Sequence, residues 1–308
     1  MDSIVEKIKK LKQEKNAIVL AHCYQNMEVD EVADFVGDSL YLSKMAKSTD
    51  ADIIVFAGVS FMAETAKLLS PNKKVLLPRT ESGCFMAEMI DLENLRKFKA
   101  KYPGIPTVCY INSTAAIKSE CDVCCTSSNA LDIVRNLNVP KVLFLPDTYL
   151  GKWVESKLDG VEVITYNGFC PTHLRIYPED IENMRQTYPN AKILAHPECH
   201  TKVTELADFV GSTKAIMEYA ARADNTEFVI ATEKGVADRL TRDYPNKKFH
   251  LIKDSIVCQN MKWNKLEDIY NSLINETHEI TLDETISKKA MKCINRMFEI
   301  NDNSRLKV

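Results

Sequence analysis

Cysteine stands at 84, 170 and 258, each time closing a short loop after an apolar run: PRTESGC, YNGFC and KDSIVC. The intervals are 86 and 88 residues. Thiolate is the form of cysteine that ligates metals, so three thiols at one recurring position read as three ligands of a single inorganic centre. Two centres fit. A [4Fe–4S] cluster fixed at three irons keeps the fourth open as a Lewis acid for a carboxylate, hydroxyl or carbonyl oxygen. Zinc with three cysteines and a water is the rival. Cys121, Cys124 and Cys125 have no counterparts in the other units, and with Cys23, Cys109, Cys199 and Cys293 they read as structural or incidental. CDVCC at 121–125 holds a CxxC without a second pair, a weak zinc signal.

Other reactive residue types keep the same interval. ADFVGDS at 33–39, CDVCCTS at 121–127 and ADFVGST at 207–213 put Asp34, Asp122 and Asp208 in register, and likewise Ser39, Ser127 and Thr213. The hydroxyls fall just before helices, where they are expected as N-caps; a hydroxyl beside free backbone N–H groups also makes an anion site. Plain capping is the commoner role for such residues. Recurrence at one predicted centre favours ligand contact for the hydroxyls, while Phe35, Val36, Phe209 and Val210 read as packing. Three further triplets end apolar runs: His22–Cys23–Tyr24, Tyr110–Ile111–Asn112 and His196–Pro197–Glu198.

The elements that position these residues follow from the same period. Apolar runs at 17–21, 52–57 and 73–77 read as strands, as do 106–111, 141–145 and 161–165, and then 191–195, 227–231 and 247–252. Amphipathic helical stretches at 3–15, 91–102 and 179–188 precede the first strand of each set, and KYP and TYP mark two of the stops. Strands alternating with helices predict parallel sheets covered on both faces. The expected fold is α/β: three similar α/β/α domains with pseudo-threefold symmetry around a central cluster site. The segments assigned are 1–86, 87–172 and 173–260, then a helical segment 261–308. Ligands of such sheets bind outside the carboxyl ends of the strands, which is where the recurring residues fall.

Composition narrows the function. Apolar residues make up 45% and charged residues 27% of 308, enough for a substantial core. A formal charge of −3 offers no basic footprint for nucleic acid. No apolar run is long enough to span a membrane, and MDSIVEKIKKLKQEKN reads as an amphipathic helix rather than a signal peptide. A cytoplasmic location is expected, where ten cysteines point to metal or redox chemistry rather than disulfides.

A further set of motifs runs in order along the chain: AHCYQ at 21–25, GDS at 37–39, GVSFMAETAK at 58–67, SGC at 82–84, YINSTAAIK at 110–118 and TSSNA at 126–130. It continues through LPDTYLG at 145–151, GFCPTH at 168–173, HPEC at 196–199, GST at 211–213 and Cys258. In these motifs the chain resembles the quinolinate synthase (NadA) family of NAD biosynthesis nearly from end to end. The resemblance implies a buried, oxygen-sensitive [4Fe–4S] cluster on Cys84, Cys170 and Cys258. It also implies condensation of iminoaspartate with dihydroxyacetone phosphate to quinolinate, phosphate and two waters. By motif, His22, Ser39, Tyr110, Asn112, Ser127, His196, Glu198 and Thr213 would line the substrate site, with Tyr24 and His173 nearby. An L-aspartate oxidase or dehydrogenase is the implied functional partner.

Both implied substrates are anions, which suits hydroxyls at helix N-termini. Acid–base work is assigned to Tyr24, Glu198, His196 and His22. His173 either positions phosphate or orients the Cys170 loop. Pro146 and Asp147 read as a helix start. An aconitase-type hydro-lyase is the rival enzyme class, and an iron–sulfur regulator or a metal-free stack of domains the rival non-enzymes. Product formation, a nucleic-acid surface and colour, respectively, discriminate them.

Overall fold

The computed structural model describes residues 3–305, with side chains through Asn301. The outermost residues of the segments assigned to 1–86 and 261–308 lie outside the described residues. The first sheet contains β1 (Ala17–His22), β2 (Phe35–Gly37), β3 (Ile53–Ala57) and β4 (Lys74–Leu76). The second has β5 (Thr107–Tyr110), β6 (Val123–Cys125), β7 (Lys141–Leu145) and β8 (Glu162–Thr165). The third has β9 (Lys192–Ala195), β10 (Phe209–Val210), β11 (Glu227–Ala231) and β12 (Lys248–Leu251). The strand orders, β2-β1-β3-β4, β6-β5-β7-β8 and β10-β9-β11-β12, are three copies of one topology, and every ladder is parallel. This is the expected α/β fold of three similar domains. The central runs IIVFA, VLFL and FVIA are buried throughout, as strands covered on both faces must be.

All nine strands read from the apolar runs form, and each sheet has one more. The recurring phrase, taken above as packing before a helix, is itself the edge strand β2, β6 or β10. Two or three residues with a single strand neighbour carry too little pattern to be told from a packed turn. Its aspartate has a definite task. Asp34, Asp122 and Asp208 accept from the N–H of Val19 (2.7 Å), Thr107 (2.7 Å) and Ile193 (2.9 Å), fixing the register between edge strand and neighbour.

Ser39 and Thr213 sit one residue past the cap positions expected of them, and Ser127 two residues before its own. The helices start at Ser39–Ser48 and Thr213–Arg222, so the caps are Asp38, which accepts from Tyr41 N–H, and Ser212, which accepts from Ala215 N–H. In the second domain the helix is Ala130–Leu137 with Asn129 at its cap position, and Ser127 lies in the turn before it. Ser39, Ser127 and Thr213 are therefore not N-caps, and their hydroxyls are released for other contacts. Ser128 ties the three starts together, its hydroxyl 2.9 Å from both Asp38 Oδ2 and Ser212 Oγ.

After the third sheet the chain returns to the first two domains. Helix Leu266–Asn275 packs on Ile4–Glu14 and β3, and Glu284–Arg305 packs on β6 and on the helices Ala115–Lys118 and Ala130–Leu137. The main apolar core joins residues of all three sheets, with smaller clusters behind the first and third.

Candidate active site

The carboxyl ends of the three sheets open on one recess lined by side chains of all three domains. Its lining takes equivalent positions from each domain: His22, Tyr110 and His196; Tyr24, Asn112 and Glu198; Ser39, Ser127 and Thr213; Cys84, Cys170 and Cys258. His173 lies just behind this wall.

The cysteine loops are held by a repeated device. Ser60, Thr148 and Lys234 donate their N–H to the carbonyls of Ser82 (2.8 Å), Gly168 (2.8 Å) and Ile256 (2.9 Å), each acceptor two residues before a cysteine. Two buried acids add to it. Asp147 caps helix Thr148–Glu155, as the sequence indicated, accepting from the Leu150 N–H at 2.6 Å. Glu233, at the matching position, accepts from the Cys258 N–H at 3.2 Å and pairs with Lys262 at 3.4 Å. The first domain has Val59 there, so the Cys84 loop has no such acid.

Burial pushes the Cys84 thiol up to about 12 and raises Cys170 and Cys258 as well, and each of Cys84 and Cys170 is raised further by a neighbouring cysteine of the set. These thiols hold their protons near neutral pH, and a cation that ligates them must displace those protons. Among the described residues, the group whose metal-binding atoms all lie within 4.8 Å of one another is Cys170, His173 and Glu198. The three cysteines form no such group. All three line the same recess, so three thiols converge there as a soft donor set.

A continuous hydrogen-bond chain crosses the recess through all three domains. The Tyr110 hydroxyl donates to Glu198 Oε1 at 2.6 Å, and Glu198 Oε2 lies 2.9 Å from His173 Nδ1. His173 Nε2 is 2.9 Å from Thr232 Oγ1, which is 3.2 Å from the Tyr24 hydroxyl, itself 3.0 Å from Thr213 Oγ1. His173 Nδ1 also faces Cys170 Sγ at 3.2 Å, linking the chain to a metal-ligand candidate. Thr232 was absent from the sequence reading. It sits at the end of β11 in no recurring motif, and only the tertiary contact reveals it.

Electrostatics set the protonation states. Burial works to raise Glu198, but hydrogen bonds from His173 and Tyr110 help hold it below its ordinary value and ionised. Burial, then the Glu198 charge, lifts Tyr24 and Tyr110 well above 10, so both are neutral donors. Burial takes His22 and His196 down to about 3, with Arg239 contributing at His22. Each accepts a backbone N–H at Nδ1, from Tyr24 (3.2 Å) and Glu198 (3.3 Å) respectively. The neutral rings thus carry their proton on Nε2, as donors.

The family model described as quinolinate synthetase A protein, NadA, matches residues 6–299. The chain belongs to this family. It is 49% identical over 298 residues to the quinolinate synthase of Alkaliphilus metalliredigens, covering 97% of this chain and 98% of that one. Quinolinate synthase 2 of Methanosarcina acetivorans is 48% identical (97% and 96% covered), and the quinolinate synthase of Aquifex aeolicus 45% identical (96% and 94%). Among the described residues no helix is long and apolar enough to cross a membrane.

Proposed function

We propose that the chain is a quinolinate synthase, joining iminoaspartate and dihydroxyacetone phosphate into quinolinate with loss of phosphate and two waters. The observation that carries this reading is the meeting of equivalent donors and thiols from three domains in one recess, in a chain of the NadA family. Cys84, Cys170 and Cys258 would hold a [4Fe–4S] cluster. When bound, such a cluster supplies one open iron as a Lewis acid toward substrate oxygen or nitrogen.

The protein's own groups do the rest. Ser39 and Thr213, as first residues of ten-residue helices, offer hydroxyls and unpaired backbone N–H groups to the carboxylate and phosphate oxygens of two anionic substrates. His22 and His196 donate from neutral Nε2–H, which polarises a carbonyl without adding a cation. Glu198 is the base of the recess, and Tyr24 and Tyr110 are its acids. Ring formation needs proton removal at carbon and proton delivery to departing hydroxyls. The chain from Tyr110 through Glu198, His173 and Thr232 to Tyr24 lets one proton pool serve both ends. Burial excludes bulk water from imine chemistry that water would reverse.

The test is quinolinate formation by anaerobically purified protein, with iron and acid-labile sulfide measured on the same sample. About four of each per chain are expected. Alanine at Cys84, Cys170 or Cys258 should remove both iron and product. A colourless protein that stays metal-free after anaerobic reconstitution would overturn the reading.

A further inference from the structure

The cysteines set aside as incidental include four that gather away from the recess. Cys124 Sγ on β6 lies 3.2 Å from Cys293 Sγ on helix Glu284–Arg305, and both are buried. Cys109 on β5 is the register partner of Cys124, and its thiol donates to the Tyr110 carbonyl at 3.5 Å. Cys121 is half-buried, its thiol donating to the Ile117 carbonyl at 3.2 Å. Of the four, Cys121 is the partly accessible one.

Beside them lies Lys118, wholly buried, with a carbonyl, that of Ser113, as its hydrogen-bond partner. Its ammonium also sits 5.6 Å over the Phe61 ring. A buried ammonium calls for a counter-charge, and its field acts on Cys109 and Cys293.

We propose that Cys124 and Cys293 are an oxidative modification site, which a small two-electron oxidant of the peroxide class closes into a disulfide fastening the C-terminal helix to the central sheet. One thiol of the pair gives up its proton and attacks a peroxide oxygen, becoming a sulfenic acid while the released hydroxide takes up that proton as water. The other thiol attacks the sulfenic sulfur, displaces the second water and closes the disulfide. Two thiols and one peroxide become one disulfide and two waters. β6 leads directly into Thr126 and Ser127, which line the recess, so the link closes next to its wall.

The experiment treats the full-length protein with hydrogen peroxide, blocks free thiols, and maps linked peptides by non-reducing digestion and mass spectrometry. A link between Cys124 and Cys293 is expected, reversed by dithiothreitol and absent in Cys293→Ser. Because it ties positions 169 residues apart, oxidation should also raise Tm by several degrees in the wild type but not in the variant. If Cys293→Ser does not fold, Cys124→Ser serves the same comparison. Cys124 and Cys293 both recovered as blocked free thiols, or a final link joining Cys109 to Cys121, would overturn the proposal. Neither readout depends on catalytic turnover.

Discussion

Replacing Thr232 by valine cuts the hydrogen-bond chain at its centre while nearly keeping side-chain shape. Thr232 is fully buried and bridges His173 Nε2 at 2.9 Å and the Tyr24 hydroxyl at 3.2 Å. Without its hydroxyl, His173 Nε2 has no partner there, while Tyr24 keeps Thr213. One orphaned buried group costs about 1–3 kcal/mol, a loss visible in denaturant unfolding but not large enough to abolish folding. The catalytic cost is larger, because Tyr24 no longer shares protons with Glu198. General acid–base contributions run from about 10²- to 10⁴-fold, and the lower figure applies because Tyr110 still reaches Glu198 directly. The assay is quinolinate production at saturating substrates, with iron content measured in parallel. The expected result is kcat down about 10²-fold with unchanged iron, and Thr232→Ser restored to within a few-fold of wild type. A valine variant with full iron and normal kcat would refute the idea that protons cross the recess by this route.

Four further outcomes follow from the same geometry. Since His22 and His196 fall from 6.5 to about 3 on folding, their stabilising effect is complete above pH 6.5 and lost as pH falls toward 3. At about 1.4 kcal/mol per pH unit, the pair costs roughly 4 kcal/mol between pH 7 and 5; denaturant unfolding across that range should show it, and His22→Asn with His196→Asn should flatten the curve. Glu198→Gln replaces the acceptor facing His173 with an amide donor, so kcat should drop at least about 10²-fold with iron retained; normal turnover would remove Glu198 as base. Glu233→Ala frees the Cys258 N–H and leaves Lys262 without its carboxylate, and should lower iron content per chain, whereas Glu64→Ala, which frees only the Ala115 N–H, should not. Gly235→Ala would place a Cβ 2.6 Å from the Cys23 carbonyl and 3.1 Å from Tyr24 Cα, so it should cost activity beyond its effect on folding, checked by kcat on the folded fraction.

The sequence revealed most where the chain repeats itself. An interval shared by Cys84, Cys170 and Cys258 announced three domains, because equivalent positions in copied units must serve equivalent ends. Nine strands were legible, since β3, β7 and β11 are buried on both faces and read as unbroken apolar runs. The edge strands were not, as FVG or VCC with one neighbour looks like any packed turn. The N-cap register slipped by one residue because Asp38 and Ser39, or Ser212 and Thr213, are both good caps, and only backbone geometry chooses between them. Thr232 and the Cys124–Cys293 contact were out of reach for another reason. Their partners lie 208 and 169 residues away in the chain, outside any local pattern and outside the repeat.

Ser128 reaching both Asp38 and Ser212, and the last helices lying back on the first two domains, have a consequence for how the protein is made. A ribosome exposes Cys84 and Cys170 well before Cys258 exists, and the helices that brace the early domains come later still. No nascent chain owns a recess until its final stretch has left the exit tunnel. On the proposed reading, loading of the three cysteines would belong to the finished polypeptide, and stalled chains ending before Cys258 should acquire no iron from a donor that loads the released protein.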